Sequence, residues 1–282
     1  MSEIARSVAD TVRTGQRLPW AGPALILAVV LIMILGPRVW PVSPTAQNLL
    51  DTLAGPSLAH PLGTDHIGRD ILARVVHGAP LSLGFALLVV AIGAAIGVVL
   101  GLVAAERGGL IDILIMRFTD LMLAFPGVLL ALLFAGFMGG GMVPLFVALT
   151  ITLWPQFARM ARAIALQTLA EPHVEASRLA GLPPAAILAR QVLPPVLQQT
   201  VVLAAFSVGG TILTISSLGF LGLGMQPPTP EWGAMITELL PYIHQAPLQL
   251  AAPCLCIFVT VLAFMLGGEA FARRAMRGEH AP

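Results

Sequence analysis

The chain has no lysine: all fifteen of its basic residues are arginine. That absence excludes a standard phosphate-cradling nucleotide loop, whose Lys reaches the phosphates, and a Schiff-base enzyme, whose Lys amine attacks the substrate. Charge of either sign is scarce, at 10% of residues, and a net charge of +1 excludes a strongly basic nucleic-acid binder. Only two cysteines occur, Cys254 and Cys256, two apart in an apolar run. They read as buried thiols, neither a disulfide framework nor a zinc site. No Ser/His/Asp set, paired carboxylates or metal-hydrolase arrangement stands out, so no catalytic, cofactor-binding or metal-ligating residue is assigned.

What is present is apolar length. With 57% hydrophobic residues among 282 and a mean hydropathy of +0.90, the chain lies outside the range of ordinary soluble domains. A bilayer core takes about 20 apolar residues per helix. Six segments qualify, at 18–36, 81–105, 113–137, 142–164, 196–218 and 247–271, which predicts an all-α polytopic membrane protein with six transmembrane helices. The first run continues into Gly36-Pro37-Arg38 without a small-residue cleavage site, so it reads as a retained anchor rather than a signal peptide. With the N-terminus inside, Arg6, Arg13, Arg17, Arg107, Arg117, Arg159, Arg162, Arg178, Arg190, Arg273, Arg274 and Arg277 fall on the cytoplasmic side. Arg38, Arg69 and Arg74 fall outside, and twelve against three satisfies the positive-inside rule with both termini cytoplasmic.

The expected organisation is a cytoplasmic tail 1–17, the first span 18–36, an external loop 37–80, a five-helix core 81–271 and a cytoplasmic tail 272–282. Within the core lie a cytoplasmic loop 166–195 and an external segment 219–246. Gly93, Gly97 and Gly101 share one face of the second span and admit a close neighbour. Pro126 and Pro155 are expected to kink the third and fourth spans, as hinges or as packing accommodations. Asp112, Asp120 and Glu269 fall near cytoplasmic ends where they reach water; mid-bilayer placement would cost at least ~2.5 kcal/mol.

The loop 166–195 is too long and too patterned for a simple connection. Glu171-Pro172 suits a helix start, His173 to Ala180 makes two turns, Gly181-Leu182-Pro183-Pro184 breaks them, and Ala185 to Val192 makes a second short helix leading to Leu193-Pro194-Pro195. Val174, Leu179, Ile187 and Leu188 are available as its apolar contacts, and Glu175 and Arg178 are spaced to pair.

Three motifs carry a family resemblance. Glu175-Ala176-Ser177, with Gly181 six residues after Glu175, Ile187 at twelve and Leu193-Pro194 at eighteen and nineteen, resembles the "EAA" loop of ABC importer permeases, Ser177 standing for the second Ala. His60-Pro61-Leu62-Gly63-Thr64-Asp65-His66-Ile67-Gly68-Arg69-Asp70 and the stretch from Gly219 to Glu231-Trp232-Gly233 resemble hallmarks of the C-type permease of dipeptide/oligopeptide/nickel importers. The resemblance covers about residues 60–270. It implies a type I ABC importer permease fold in a bacterial inner membrane, and a knob that couples to an ATPase through Glu175, Ala176, Ser177, Arg178, Gly181, Ile187, Gln191, Leu193 and Pro194. Gln191 stands where such permeases often have His, and keeps hydrogen bonding without a charge. Met265 and Glu269 stand where Asn and Asp are typical.

The implied partners are a B-type permease completing a heterodimeric pore, two cytoplasmic ATPase domains and a periplasmic or extracellular substrate-binding protein. No cofactor is expected on this chain; ATP and magnesium belong to the partner ATPases. Short peptides are the expected cargo, with nickel or a metal chelate as the alternative.

On the outer side, Asp65, Arg69 and Asp70 are expected to form a salt-bridge cluster or to meet a docking receptor. Glu231 and Trp232 are expected to open an interfacial helix reaching Tyr242, with Trp232 and Tyr242 at headgroup depth, framing an outer gate. His60, His66, His77 and His244 are external; their spacing defines no coordination set, and they read as loop histidines over a metal relay. A secondary transporter is the rival of another class. It predicts intramembrane ionisable groups and broken half-helices near the midplane, neither of which is evident in the sequence.

Overall fold

An apolar run in lipid must satisfy its own amides, and this chain does so with helices. The computed structural model describes residues 21–278. The expected tail 1–17 with Arg6, Arg13 and Arg17, the start of the first span, and 279–282 lie outside the described residues, as do the side chains of Arg274 and Arg277. In chain order the helices are α1 (Ala21–Val39), α2 (Ile71–Arg107), α3 (Gly109–Ala124), α4 (Gly127–Phe137), α5 (Met142–Leu169), α6 (Pro172–Leu179), α7 (Pro184–Ile187), α8 (Leu193–Phe220), α9 (Trp232–Leu239) and α10 (Pro247–Gly278). Among the described residues the only β pairing is an isolated bridge between Thr64 and Asp70.

Among the described residues five helices are long and apolar enough to span a membrane, and α3 with α4 makes a sixth if the bent pair is one span. The two ends of the bundle are called inner and outer after the orientation expected from the arginines. α2 and α5 form the centre. A methyl placed on Gly97 would stand 2.5 Å from the Phe157 Cβ and against the Trp154 carbonyl oxygen. On Gly101 it would stand 2.9 Å from the Ala161 Cβ. The small-residue face therefore sets the α2/α5 separation. α8 and α10 pack beside this pair, and α1 lies on α10 and α2.

Three boundaries differ from the hydropathy reading. α2 begins at Ile71, ten residues before the expected span, because Asp70 caps it by accepting from the Ala73 N–H at 2.6 Å. Its first turns carry Arg74 and His77, which interrupt the apolar run but find partners in the fold. The third span is broken: α3 and α4 meet at 91° across Phe125 and Pro126. Pro126 has no N–H to continue the ladder and disfavours helical backbone in the residue before it, and Phe125 is extended at φ −96°, ψ 144°. α5, by contrast, runs on through Pro155.

The third difference is at Leu193-Pro194-Pro195, which does not separate two helices. A π turn over Leu188–Val192 joins α7 to α8, with the Leu193 N–H donating to the Leu188 carbonyl five residues back. The wider turn suits two prolines that donate no hydrogen bond of their own.

Candidate functional site

The inner knob is built by α6, a turn, α7 and the π turn. Pro172 occupies the first turn of α6, where a missing N–H costs nothing, and Gly181 ends the knob's first half at φ +80°, in the left-handed region that a side chain resists. The Leu182 N–H donates to the Ser177 carbonyl at 3.1 Å and closes the turn. Gln191 ties the halves together: its Nε2 donates to the Ser177 Oγ at 2.7 Å, and the Ser177 hydroxyl donates to the His173 carbonyl at 3.0 Å.

The coupling set divides into two groups by exposure. Ile187 is buried and Val192 and Val196 are fully so; with Val98, Ala161 and Ala165 the two valines fasten the knob's base to α2 and α5. Gln191 and Leu193 are half-buried. Glu175, Ala176, Arg178, Gly181 and Pro194 are exposed, and Ser177 is half-buried between the two groups. Glu175 and Arg178 stand 3.6 Å apart as a surface pair. Leu179 does not join Val174 inside: Val174 is fully buried, while Leu179 is 82% exposed on the face of Glu175. Four residues separate Glu175 from Leu179, so that shared face was readable from helical spacing.

At the outer end the arrangement is internal. Asp65 accepts the N–H groups of Ile67 and Arg69 on Oδ1, at 3.0 and 2.9 Å. Its Oδ2 accepts Arg69 Nε at 2.5 Å and Arg74 Nη1 at 2.7 Å. Glu238 Oε2 completes a ring, at 2.7 Å from Arg69 Nη2 and 2.7 Å from Arg74 Nη2, the latter an ion pair at an angle poor for a hydrogen bond. Asp70 is used elsewhere, capping α2 and meeting His60 Nδ1 at 2.7 Å. Burial works to raise the Asp65 carboxyl, but the backbone donors and the Arg69 guanidinium outweigh it and hold it below its usual range.

α9 is drawn into the same system. Glu231 accepts the Gly233 and Ala234 N–H groups at 2.9 and 2.8 Å and faces the Ser82 hydroxyl at 3.3 Å. Burial pushes its carboxyl above the usual range despite those bonds. Trp232 Nε1 donates to the Val75 carbonyl at 3.0 Å. The indole of Trp232 therefore does not face lipid: it is 3% exposed, packed on α2 where Gly78 leaves room for it. Tyr242 is half-buried and stacks on His66 with centroids 5.3 Å apart.

Asp65, Arg69, Asp70, Glu231 and Trp232 are all at most 3% exposed, which leaves a soluble receptor no side-chain surface to touch. They form a brace between the loop 60–70, α2 and α9. Glu238 was missed by the sequence reading, although the charge count held a signal. With Asp70 used as a cap, one aspartate cannot balance Arg69 and Arg74, so a second acid had to come from elsewhere in the chain.

Two interhelical pairs also went unread: Asp112 with Arg162 and Asp120 with Arg159, both joining α3 to α5 at 2.5 Å. Among the described residues no three of His, Cys, Asp and Glu are grouped to hold a metal ion.

Residues 97–277 match the family described as "Binding-protein-dependent transport system inner membrane component". The glutathione transport system permease protein GsiD of Pectobacterium atrosepticum is 39% identical over 90% of this chain and 85% of its own length. Its counterpart in Escherichia coli is 40% identical over 91% and 86% respectively. In fold, the chain is similar to the MetNI methionine ABC transporter in inward-facing conformations, with a TM-score of 0.59 at 19% identity over 71% of this chain and 95% of that one. A second crystal form of that transporter gives 0.58 at 20% identity, over 72% and 96%.

Proposed function

The chain belongs to the family of inner membrane components of binding-protein-dependent transport systems, as a permease subunit of an ABC importer, and from that premise we propose that it forms half of a heterodimeric pore for short peptides, glutathione among them. The observation that carries the coupling role is the division of the inner knob. A buried base is locked to α2 and α5, and an exposed tip presents Glu175, Arg178, Leu179 and Gly181 in one compact turn. A surface of that kind transmits force: a push on the tip reaches the spanning helices through Ile187, Val192 and Val196 as a rigid body.

In this reading a B-type permease supplies the other half of the pore, two cytoplasmic ATPase domains bind ATP and magnesium, and a periplasmic binding protein delivers the cargo. This chain takes no part in the hydrolysis. Closure of the ATPases moves the knob, and the bundle rocks between inward-facing and outward-facing arrangements. The bend at Phe125 and Pro126 is the kind of broken span that a secondary transporter would also use. Family membership supports ATP drive. Peptide cargo is supported by the names of the relatives at 39–40% identity, both glutathione permeases.

The test is affinity purification in mild detergent, mass spectrometry of the partners, and ATP-dependent uptake of labelled glutathione and dialanine after reconstitution. Glu175→Arg and Gly181→Val are expected to assemble in the membrane and to lose most ATP-driven uptake. Normal uptake by both variants would remove the coupling role from the knob; purification of the chain alone, with gradient-driven uptake, would overturn the importer assignment.

A further inference from the structure

Two adjoining cavities run between α5 and α8 beside the broken span. The upper, of 380 Å³, lies next to the first turn of α4 and holds Thr152, Gln156, Ser207, Thr211 and Thr214. The lower, of 550 Å³, continues inward past Gln199 and Arg159, and both are walled by Gln156, Leu203 and Phe206. Together they make one groove from the middle of the spanning region to its inner edge.

The groove's polar groups follow helical spacing. On α8 they stand at 199, 207, 211 and 214 with Leu203 in register, and on α5 at 152, 156 and 159. Steps of three and four place each set on one helix face, so the two stripes line the same groove. Thr152 and Thr214 turn their hydroxyls back to the Leu149 and Gly210 carbonyls. Among the described residues, the Gln156 and Gln199 amides and the Ser207 and Thr211 hydroxyls have no partner within the chain and open on the groove. A spanning helix that turns an unpartnered glutamine to lipid leaves that amide unsatisfied. The stripe therefore faces water, a polar solute or polar groups of the second permease, and not lipid. Among the described residues no carboxylate, imidazole or thiol lines the upper cavity. In the lower one the single charged side chain, Arg159, is paired with Asp120.

We propose that this groove is the chain's wall of the substrate path, and that it receives solutes recognised through amide and carbonyl groups, as a peptide main chain is, rather than a bare metal cation. The proposal rests on the importer reading and adds which side chains meet the cargo. Side-chain amides and hydroxyls both donate and accept, so they exchange hydrogen bonds with successive peptide groups without a fixed register. A wall of that chemistry binds weakly enough to release.

The experiment is thiol labelling of the assembled transporter, with Cys254→Ala and Cys256→Ala as background. Ser207→Cys and Gln199→Cys probe the groove, and Val201→Cys probes the opposite face of α8, where Val201 is 51% exposed. Methanethiosulfonates carrying a negative or a positive charge serve as probes, with and without MgATP and vanadate. The groove thiols are expected to react at least about tenfold faster than Val201→Cys, since a thiol held in lipid does not ionise to the reactive thiolate. Trapping with vanadate is expected to change that rate. Relative to a free thiol, the two charged reagents are expected to agree within about threefold, whereas a cleft lined for cations would favour the positive one about tenfold or more.

Equal slow labelling of Ser207→Cys and Val201→Cys, in a complex that still imports, would remove the groove from the path and leave the importer standing. A strong preference for the positive reagent would overturn the peptide-type lining. Absence of ATP-dependent uptake by the wild-type complex would bring down the importer reading itself, and this proposal with it.

Discussion

The outer brace and the inner knob both carry arginine beside carboxylate, and they use the pairing in opposite ways. Arg69 and Arg74 are 1% exposed and share Asp65 and Glu238 in a closed ring across three segments. Glu175 and Arg178 are three residues apart on one short helix, with side chains 62% and 49% exposed. A buried charge is tolerable only with every partner in place, so the ring holds α9 against α2 in a single arrangement. An exposed pair contributes little to stability, which leaves its side chains available for contact with another subunit. Similar chemistry thus makes a rigid outer frame and an open, exposed surface at the inner end.

The sharpest way to break the comparison is to remove one carboxylate from each end. Asp65→Ala strands two buried guanidinium groups beside Glu238 alone and is expected to cost about 3–5 kcal/mol, seen as a lower unfolding temperature in detergent. Glu175→Ala combined with Arg178→Ala is expected to cost no more than about 1 kcal/mol. Equal losses from the two would erase the distinction.

The next effect comes from the packing that both ends rely on. Gly97→Leu forces a side chain against Trp154 and Phe157 and is expected to cost about 1–3 kcal/mol or more, with loss of monodisperse protein in size-exclusion chromatography. A tolerated leucine would mean that α2 and α5 do not need their close approach.

Acidity separates two carboxyls within the outer brace more finely. Because the Asp65 carboxyl is held below its usual range, its contribution is fully present above the ordinary aspartate value of about 3.9, and is lost as pH falls through the lower folded value. The unfolding temperature of the wild type is expected to drop over that interval, and that of Asp65→Asn to stay flatter. Glu231 has the opposite sign. Burial holds its carboxyl up, so its effect on stability worsens as pH rises from the ordinary glutamate range through the raised value. Glu231→Gln is expected to flatten that limb while keeping an oxygen to cap α9. Identical pH profiles for wild type and both variants would separate the brace from acid stability.

Sequence alone determined the class and much of the outline. Apolar length specified the spanning helices, since lipid leaves the backbone no other partner. Gly93, Gly97 and Gly101 announced a close helix contact, and the spacing around Glu175 marked a knob at the inner end. Those features are local: hydropathy, periodicity and turn chemistry act over a few residues.

Tertiary structure decided what depends on distant partners. The start of α2 at Ile71 was hidden because Arg74 looks like a span boundary until Glu238, far along the chain, neutralises it. Trp232 resembled an interfacial anchor until α2 supplied the Val75 carbonyl for its indole and Gly78 the space. The outward turn of Leu179 required α6 to be seated on α5 and α7, and the joining of two polar stripes into one groove required α5 and α8 to lie side by side. Periodicity along one helix says which residues share a face. Only the packing of helices against each other says what that face meets.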